Sequence, residues 1–130
     1  MQTRIHFTSA PLVIPPMELP HREIGACVEF HGIVRELEEG APLSGLYYEA
    51  YEPMAARQME RIFTELAAAH DCMAVIFIHR VGWVGVGETS VYLRVMASHR
   101  GPALTFCEAA INRMKADAPI WKRTAAPEES

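Results

Sequence analysis

The chain has 130 residues, 50% hydrophobic and 22% charged, with a net charge of −4 at pH 7. This composition predicts one folded domain over residues 1–130, long enough to bury a core without disulfide or metal staples. The acidic balance argues against nonspecific nucleic-acid binding, which needs a basic face, and no apolar run approaches the length of a membrane span.

Arg4–Phe7 is expected as a short edge strand. The next stretch carries Pro11, Pro15, Pro16 and Pro20, so it reads as an extended connector. No apolar core follows a basic start here, and no signal peptide is expected. Gly25–Val34 reads as a strand with Ala26, Val28 and Phe30 on one face and a bulge at Gly32. The polar stretch "RELEEGAPLSG", residues 35–45, reads as a mobile loop. Leu46–Tyr51 alternates and is rich in aromatics, as a strand is.

Pro53 opens a helix to about His70, with Met59, Ile62, Phe63 and Leu66 as its apolar stripe. Ala74–His79 is expected as a buried strand, residues 80–88 as a Gly-rich connector, and Thr89–Ala97 as a long strand. The last helix starts at Gly101-Pro102 with a stripe of Leu104, Cys107, Ile111 and Met114. It ends near Asp117, because Pro119 disfavours helix at Ala118. The order predicts an α+β fold: a mainly antiparallel sheet with two main helices packed on it.

Basic residues are unevenly placed. Between Arg94 and Arg123 lie six of the twelve Lys and Arg residues and only two acids, so a local anion site is compatible with an acidic protein. Lys115 and Lys122 are the only lysines in the chain, and both fall in "MKADAPIWKRT". Guanidinium is permanently charged and forked, whereas ammonium is a compact charge that can act as nucleophile or proton donor. Two lysines in one short segment of an Arg-rich chain therefore mark either a reactive site or two leftover surface charges. "ASHRGPAL" places His99 and Arg100 at a helix N-terminus, where free N–H groups and the dipole favour anions. A solvated strand–helix turn would look the same. Arg35 ends a strand and could add a cation. Cys27, Cys72 and Cys107 have neither C-x-x-C nor zinc spacing, which predicts reduced thiols in a cytoplasmic protein. Trp83 and Trp121 read as packing residues.

Five stretches taken together resemble one family, the large catalytic subunits of molybdopterin synthase: "FHGIVR", "LYYEAYEPMA", "IHRVGWVGVGE", "VMASHRGPAL" and "MKADAPIWKR". They span about Gly25 to Arg123 in the family's order and spacing. The resemblance implies a hammerhead-like α+β fold and a sulfurtransferase of molybdenum cofactor biosynthesis. Such an enzyme converts cyclic pyranopterin monophosphate (precursor Z) to the molybdopterin dithiolene. It implies a small ubiquitin-like sulfur-carrier subunit ending in a Gly-Gly thiocarboxylate, and a homodimer within a heterotetramer. Neither a metal nor a resident cofactor is implied. By position, Lys115 and Lys122 fall on the catalytic lysines. His99 and Arg100 fall on pterin-phosphate contacts supplied across the dimer. Ile33, Val34 and Arg35 match the strand-end substrate segment, and Arg123 and Thr124 complete the stretch after Lys122. The family usually has Glu where this chain has Thr124. Two other readings stay open: a noncatalytic module binding a ubiquitin-like tail, and an unrelated Schiff-base lysine enzyme acting on a phosphorylated carbonyl compound.

Overall fold

Runs of β-branched and aromatic residues make the central strands of a four-stranded sheet. The structure, a computed structural model, describes residues 1–125. The sheet contains β1 (Gln2–Thr8), β2 (Ala26–Ile33), β6 (Ala74–Arg80) and β8 (Thr89–Ala97), in the order β1-β6-β8-β2. β1 and β6 are parallel, and the other two pairings are antiparallel. β2 slips register between Gly32 and Ile33, at the expected bulge.

Two helices cover one face of this sheet. In α1 (Glu52–Ala69), Pro53 stands in the first turn, and Ala55, Met59, Ile62, Phe63 and Leu66 are buried. In α2 (Arg100–Asp117) the buried set is Ala103, Phe106, Cys107, Ala110, Ile111 and Met114. Leu104, expected in that stripe, is 54% exposed. Ala103 and Ala110 take the inward positions instead, and small side chains there let α2 approach the sheet closely. Phe63 joins the layers, with ring centroids 6.1 Å from Phe77 of β6 and 6.0 Å from Phe106 of α2.

The opposite face is lined along β8 by Ser90, Tyr92, Arg94 and Met96, all buried. The Pro-rich connector crosses it: Arg94 donates to the carbonyls of Pro15 at 2.5 Å and Pro16 at 3.2 Å. β8 is buried on both faces, and its buried polar side chains Ser90, Tyr92 and Arg94 are each hydrogen-bonded.

A second, three-stranded sheet has the order β7-β5-β9, from β5 (Gly45–Ala50), β7 (Gly82–Gly85) and β9 (Ile120–Ala125). β7 lies within residues 80–88, expected only as a connector, and β9 follows Pro119, where no strand was expected. Neither segment alternates strongly enough to announce itself; pairing with β5 makes both of them strands. A Cβ on Gly45 would lie 2.5 Å from the Trp83 ring and from the Val84 carbonyl oxygen, so this close pairing requires glycine. Val34, Leu43, Leu46 and Val84 form a small core beneath.

Residues 35–45, expected as a mobile loop, instead contain a hairpin of β3 (Leu37–Glu38) and β4 (Ala41–Pro42). Its turn residues Glu39 and Gly40 have φ of 52° and 81°. Positive φ at both central positions is the type I′ pattern that matches strand twist.

Candidate functional site

The two sheets, the hairpin and the C-terminal end of α2 enclose a cavity of about 620 Å3. That volume suits a small-molecule site. Its base is fixed by backbone contacts. Val34 is 3% exposed; its N–H donates to the Glu88 carbonyl at 3.0 Å and its own carbonyl accepts from Gly87 N–H at 2.8 Å. Arg35 is therefore carried on an anchored strand end.

Lys115 and Lys122 reach the cavity from different elements. Lys115 occupies the last turn of α2, where a cation complements the helix dipole. The chain then leaves the helix at Ala118, and β9 runs antiparallel to β5 with Lys122 opposite Tyr48 and Thr124 opposite Leu46. Tyr48, Leu46 and Lys122 line the cavity together with Ile33, Val34, Arg35 and Lys115. Thr124 shares the strand face of Lys122 but is not among the lining residues. Arg123 falls on the other face, with its guanidinium 4.4 Å from the Tyr47 ring centroid. Tyr47 in turn packs on Trp83, at 4.9 Å between centroids.

His99 and Arg100 are elsewhere. Both are exposed at the N-terminus of α2, which has no side-chain cap and no acid in its first turn. The fifteen residues from Arg100 to Lys115 span roughly 22 Å of helix, so one chain cannot bring both ends of α2 to one small ligand.

Four lining residues carry weight that the sequence reading did not assign. Glu38 on the hairpin accepts a 2.9 Å hydrogen bond from Lys122 Nζ. That bond, with the further fields of Arg35 and Lys115, holds its carboxyl below the usual carboxylate range. An acid three residues after a strand-end Arg, just before a Glu-Gly turn, was the available signal for it. Trp121, read as a packing residue, is 57% exposed and lines the cavity. Tyr48 sets its ring edge-on to His79, 5.1 Å between centroids. His79 is 2% exposed, and burial pushes its pKa down. Its Nδ1 lies 2.8 Å from the Arg80 carbonyl oxygen, which can only accept; the proton is therefore on Nδ1, and Nε2 keeps a free lone pair.

No cysteine lines the cavity. Cys107 and Cys72 are buried, and desolvation raises the pKa of all three thiols, that of Cys72 to about 11. They are protonated and poorly nucleophilic at neutral pH. The arrangement suits an anionic ligand, held by three cations, and offers it no thiol nucleophile.

Comparison with known proteins agrees with this geometry. The MoaE protein family matches residues 7–117. The molybdopterin synthase catalytic subunit of Thermoplasma volcanium is 37% identical over 114 residues, 85% of this chain and 83% of that protein. That of Arabidopsis thaliana is 41% identical over 78% of this chain, which corresponds to 51% of the plant protein. The crystal structure of molybdopterin synthase from Staphylococcus aureus superposes with a TM-score of 0.78 at 31% identity, covering 91% of each chain. With the family matched along most of its length and the fold shared with a solved synthase, this chain belongs to the MoaE family, whose matched relatives are molybdopterin synthase catalytic subunits.

Proposed function

We propose that the chain is the catalytic subunit of a cytoplasmic molybdopterin synthase. It would take sulfur from the thiocarboxylated Gly-Gly terminus of a small ubiquitin-like subunit and place it on precursor Z. The observation that carries this reading is the convergence of Arg35, Lys115 and Lys122 on one cavity that contains no thiol.

The chemistry follows from those groups. The thiocarboxylate sulfur attacks an oxygen-bearing side-chain carbon of the pterin; a C–S bond forms as a C–O bond at that carbon breaks, and the oxygen leaves on the phosphate or, once protonated, as water. Water then cleaves the thioester, leaving sulfur on the substrate and releasing the partner tail as a carboxylate. Two such transfers complete the dithiolene. Lys115 is the residue most directly engaged with substrate or tail, and Lys122 is its electrostatic and proton-transfer partner. Arg35, with the Ile33–Val34 backbone, positions the anionic substrate, and Thr124 continues the Lys122 face of β9 beyond the cavity lining.

His99 and Arg100 would serve the pocket of a second copy, as phosphate contacts in a homodimer within a heterotetramer. Two features support this. β2 is an edge strand that begins beside the N-terminus of α2 and ends at the cavity. A two-fold mate lying antiparallel along that edge would set its His99 end near this chain's Ile33 end. The exposed Leu104, one turn into α2, would supply apolar contact there.

The test is reconstitution. Purified chain, thiocarboxylated partner and precursor Z should yield molybdopterin, with one partner carboxylate released per sulfur transferred. Tail binding without product would identify a noncatalytic module. Borohydride-trapped adducts with small phosphorylated carbonyl compounds, and no partner binding, would identify a Schiff-base enzyme.

A further inference from the structure

The β3–β4 hairpin inverts the usual pattern of a short strand. Its apolar residue, Leu37, is 52% exposed, while the neighbouring side chain of Glu38 is only 21% exposed and turned toward the cavity. A slip of one residue would exchange the two, burying leucine and freeing the acid. The hairpin does not slip. Leu43 is buried in the small core, its N–H donates to the Glu36 carbonyl at 2.8 Å, and the positive-φ turn at Glu39-Gly40 sets the strand pairing. The fold therefore places a carboxylate over the cations at the expense of an apolar contact.

Among the described residues, that carboxylate is the only acid lining the cavity, against Arg35, Lys115 and Lys122. It bonds Lys122 directly. Among the described residues, the side chains of Arg35 and Lys115 make no hydrogen bond or ion pair, and Glu38 is the acid whose carboxyl they act on. An incoming anion needs the position that Glu38 now holds.

We propose that Glu38 is an internal stand-in for the ligand anion: its carboxylate seats on Lys122 in the empty pocket, is displaced when an anionic group enters, and returns to release it. The occupant has the chemistry of a carboxylate-ended peptide tail or a phosphate monoester. The inference rests on the lysine pocket being the anion site of the proposed reaction, but its test uses no turnover. The ion pair is partly solvent-exposed, with side-chain exposures of 48% for Lys122 and 21% for Glu38. Pairs of this kind are weak enough to exchange readily. Glu38 would thus lower anion affinity without blocking entry, and its loss would tighten binding.

The two lysines make the experiment simple, because the chain gives two lysine side-chain NMR signals, assignable with Lys115→Arg and Lys122→Arg variants. A short peptide ending in a free Gly-Gly carboxylate, its C-terminally amidated form, and inorganic pyrophosphate are each titrated into wild type, Glu38→Gln and Glu38→Asp. Thermal unfolding of each variant checks that the hairpin is intact. In Glu38→Gln, the free-carboxylate peptide or pyrophosphate should shift the Lys122 signal at a concentration about three- to ten-fold lower than in wild type. Glu38→Asp should lie between, and the amidated peptide should show no gain. Whichever probe responds more identifies the anion that Glu38 imitates. Equal or weaker binding in Glu38→Gln, or no response of either lysine in any protein, overturns the proposal. Failure of the sulfur-transfer reaction alone would leave these titrations unchanged and would count against the functional reading instead.

Discussion

Two cationic sites in this molecule contrast sharply. Arg94 is 3% exposed, and its guanidinium is fully engaged: Nε donates to Tyr92 Oη at 2.8 Å, the two terminal nitrogens reach the carbonyls of Pro15 and Pro16, and Glu29 lies at 3.8 Å. Arg35, Lys115 and Lys122 are all exposed and share one carboxylate among them. A buried cation whose three nitrogens all have partners fastens the connector to the sheet. Cations with donors to spare, grouped in a cavity, wait for a ligand. Charge alone does not separate the two roles; the fraction of donors already engaged does.

The largest expected effect breaks the open site. Lys115→Ala should lower dithiolene formation by about 10²- to 10⁴-fold, the usual worth of a positioned proton donor. Because the residue is exposed, the unfolding midpoint should stay near that of wild type. Product assay and denaturant titration on the same preparation separate the two, and wild-type turnover would remove Lys115 from the mechanism. The closed site should respond in the opposite sense. Arg94→Ala strands the Pro15 and Pro16 carbonyls, leaves Tyr92 Oη and Glu29 only each other as partners, and should cost about 2–4 kcal/mol of stability. Turnover per folded molecule should hold. An Arg94 variant that unfolds normally but loses activity would mean that the connector face, with its own cavity of about 200 Å3, takes part in function.

Much of this contrast was legible in the sequence, for identifiable reasons. α1, β2, β6 and β8 carry strong periodicity or long apolar runs, so local pattern and burial agree. The lysines stood out because the chain uses arginine everywhere else. β7 and β9 were not legible because they are strands by virtue of pairing with β5, a long-range cause that a local pattern cannot carry. Glu38 was hidden in the same way. Polar residues around a glycine look like any loop, and only the Leu43 anchor and the turn φ values show that the acid is aimed. Arg123 follows Lys122 in sequence, but alternation along β9 sends it to the opposite face, a separation that adjacency conceals.

A pH experiment sharpens the contrast at the cavity wall. Burial lowers the pKa of His79 below its unfolded value near 6.5. The unfolded state therefore binds the extra proton first as pH falls, and stability rises with pH in that window. Between pH 6.5 and the folded pKa, wild type should lose stability on acidification, by at most about 1.4 kcal/mol per pH unit from this group. Replacing His79 by Gln should flatten that slope and leave stability above pH 7 independent of pH from this source. Denaturant midpoints at pH 5.5, 6.5 and 7.5 for the two proteins decide it, and parallel curves would show that His79 takes up its second proton as readily in the fold as in the unfolded chain.

The smallest effect tests the two faces of β9. Lys122 and Arg123 are neighbours with like charge, yet one faces the cavity and the other stacks on Tyr47. Arg123→Ala should forfeit the cation–π contact, about 0.5–1 kcal/mol at an exposed site. Because Tyr47 stays packed on Trp83, the loss should not spread through the sheet. Arg123→Lys keeps a cation without the planar stacking surface and should recover only part of the stability. Turnover in both variants should remain within about two-fold of wild type, well inside 0.5 kcal/mol of barrier. A loss of activity in Arg123→Ala that Arg123→Lys restores would mean that positive charge on this outer face is used in catalysis or docking, and the division between the faces of β9 would then fail.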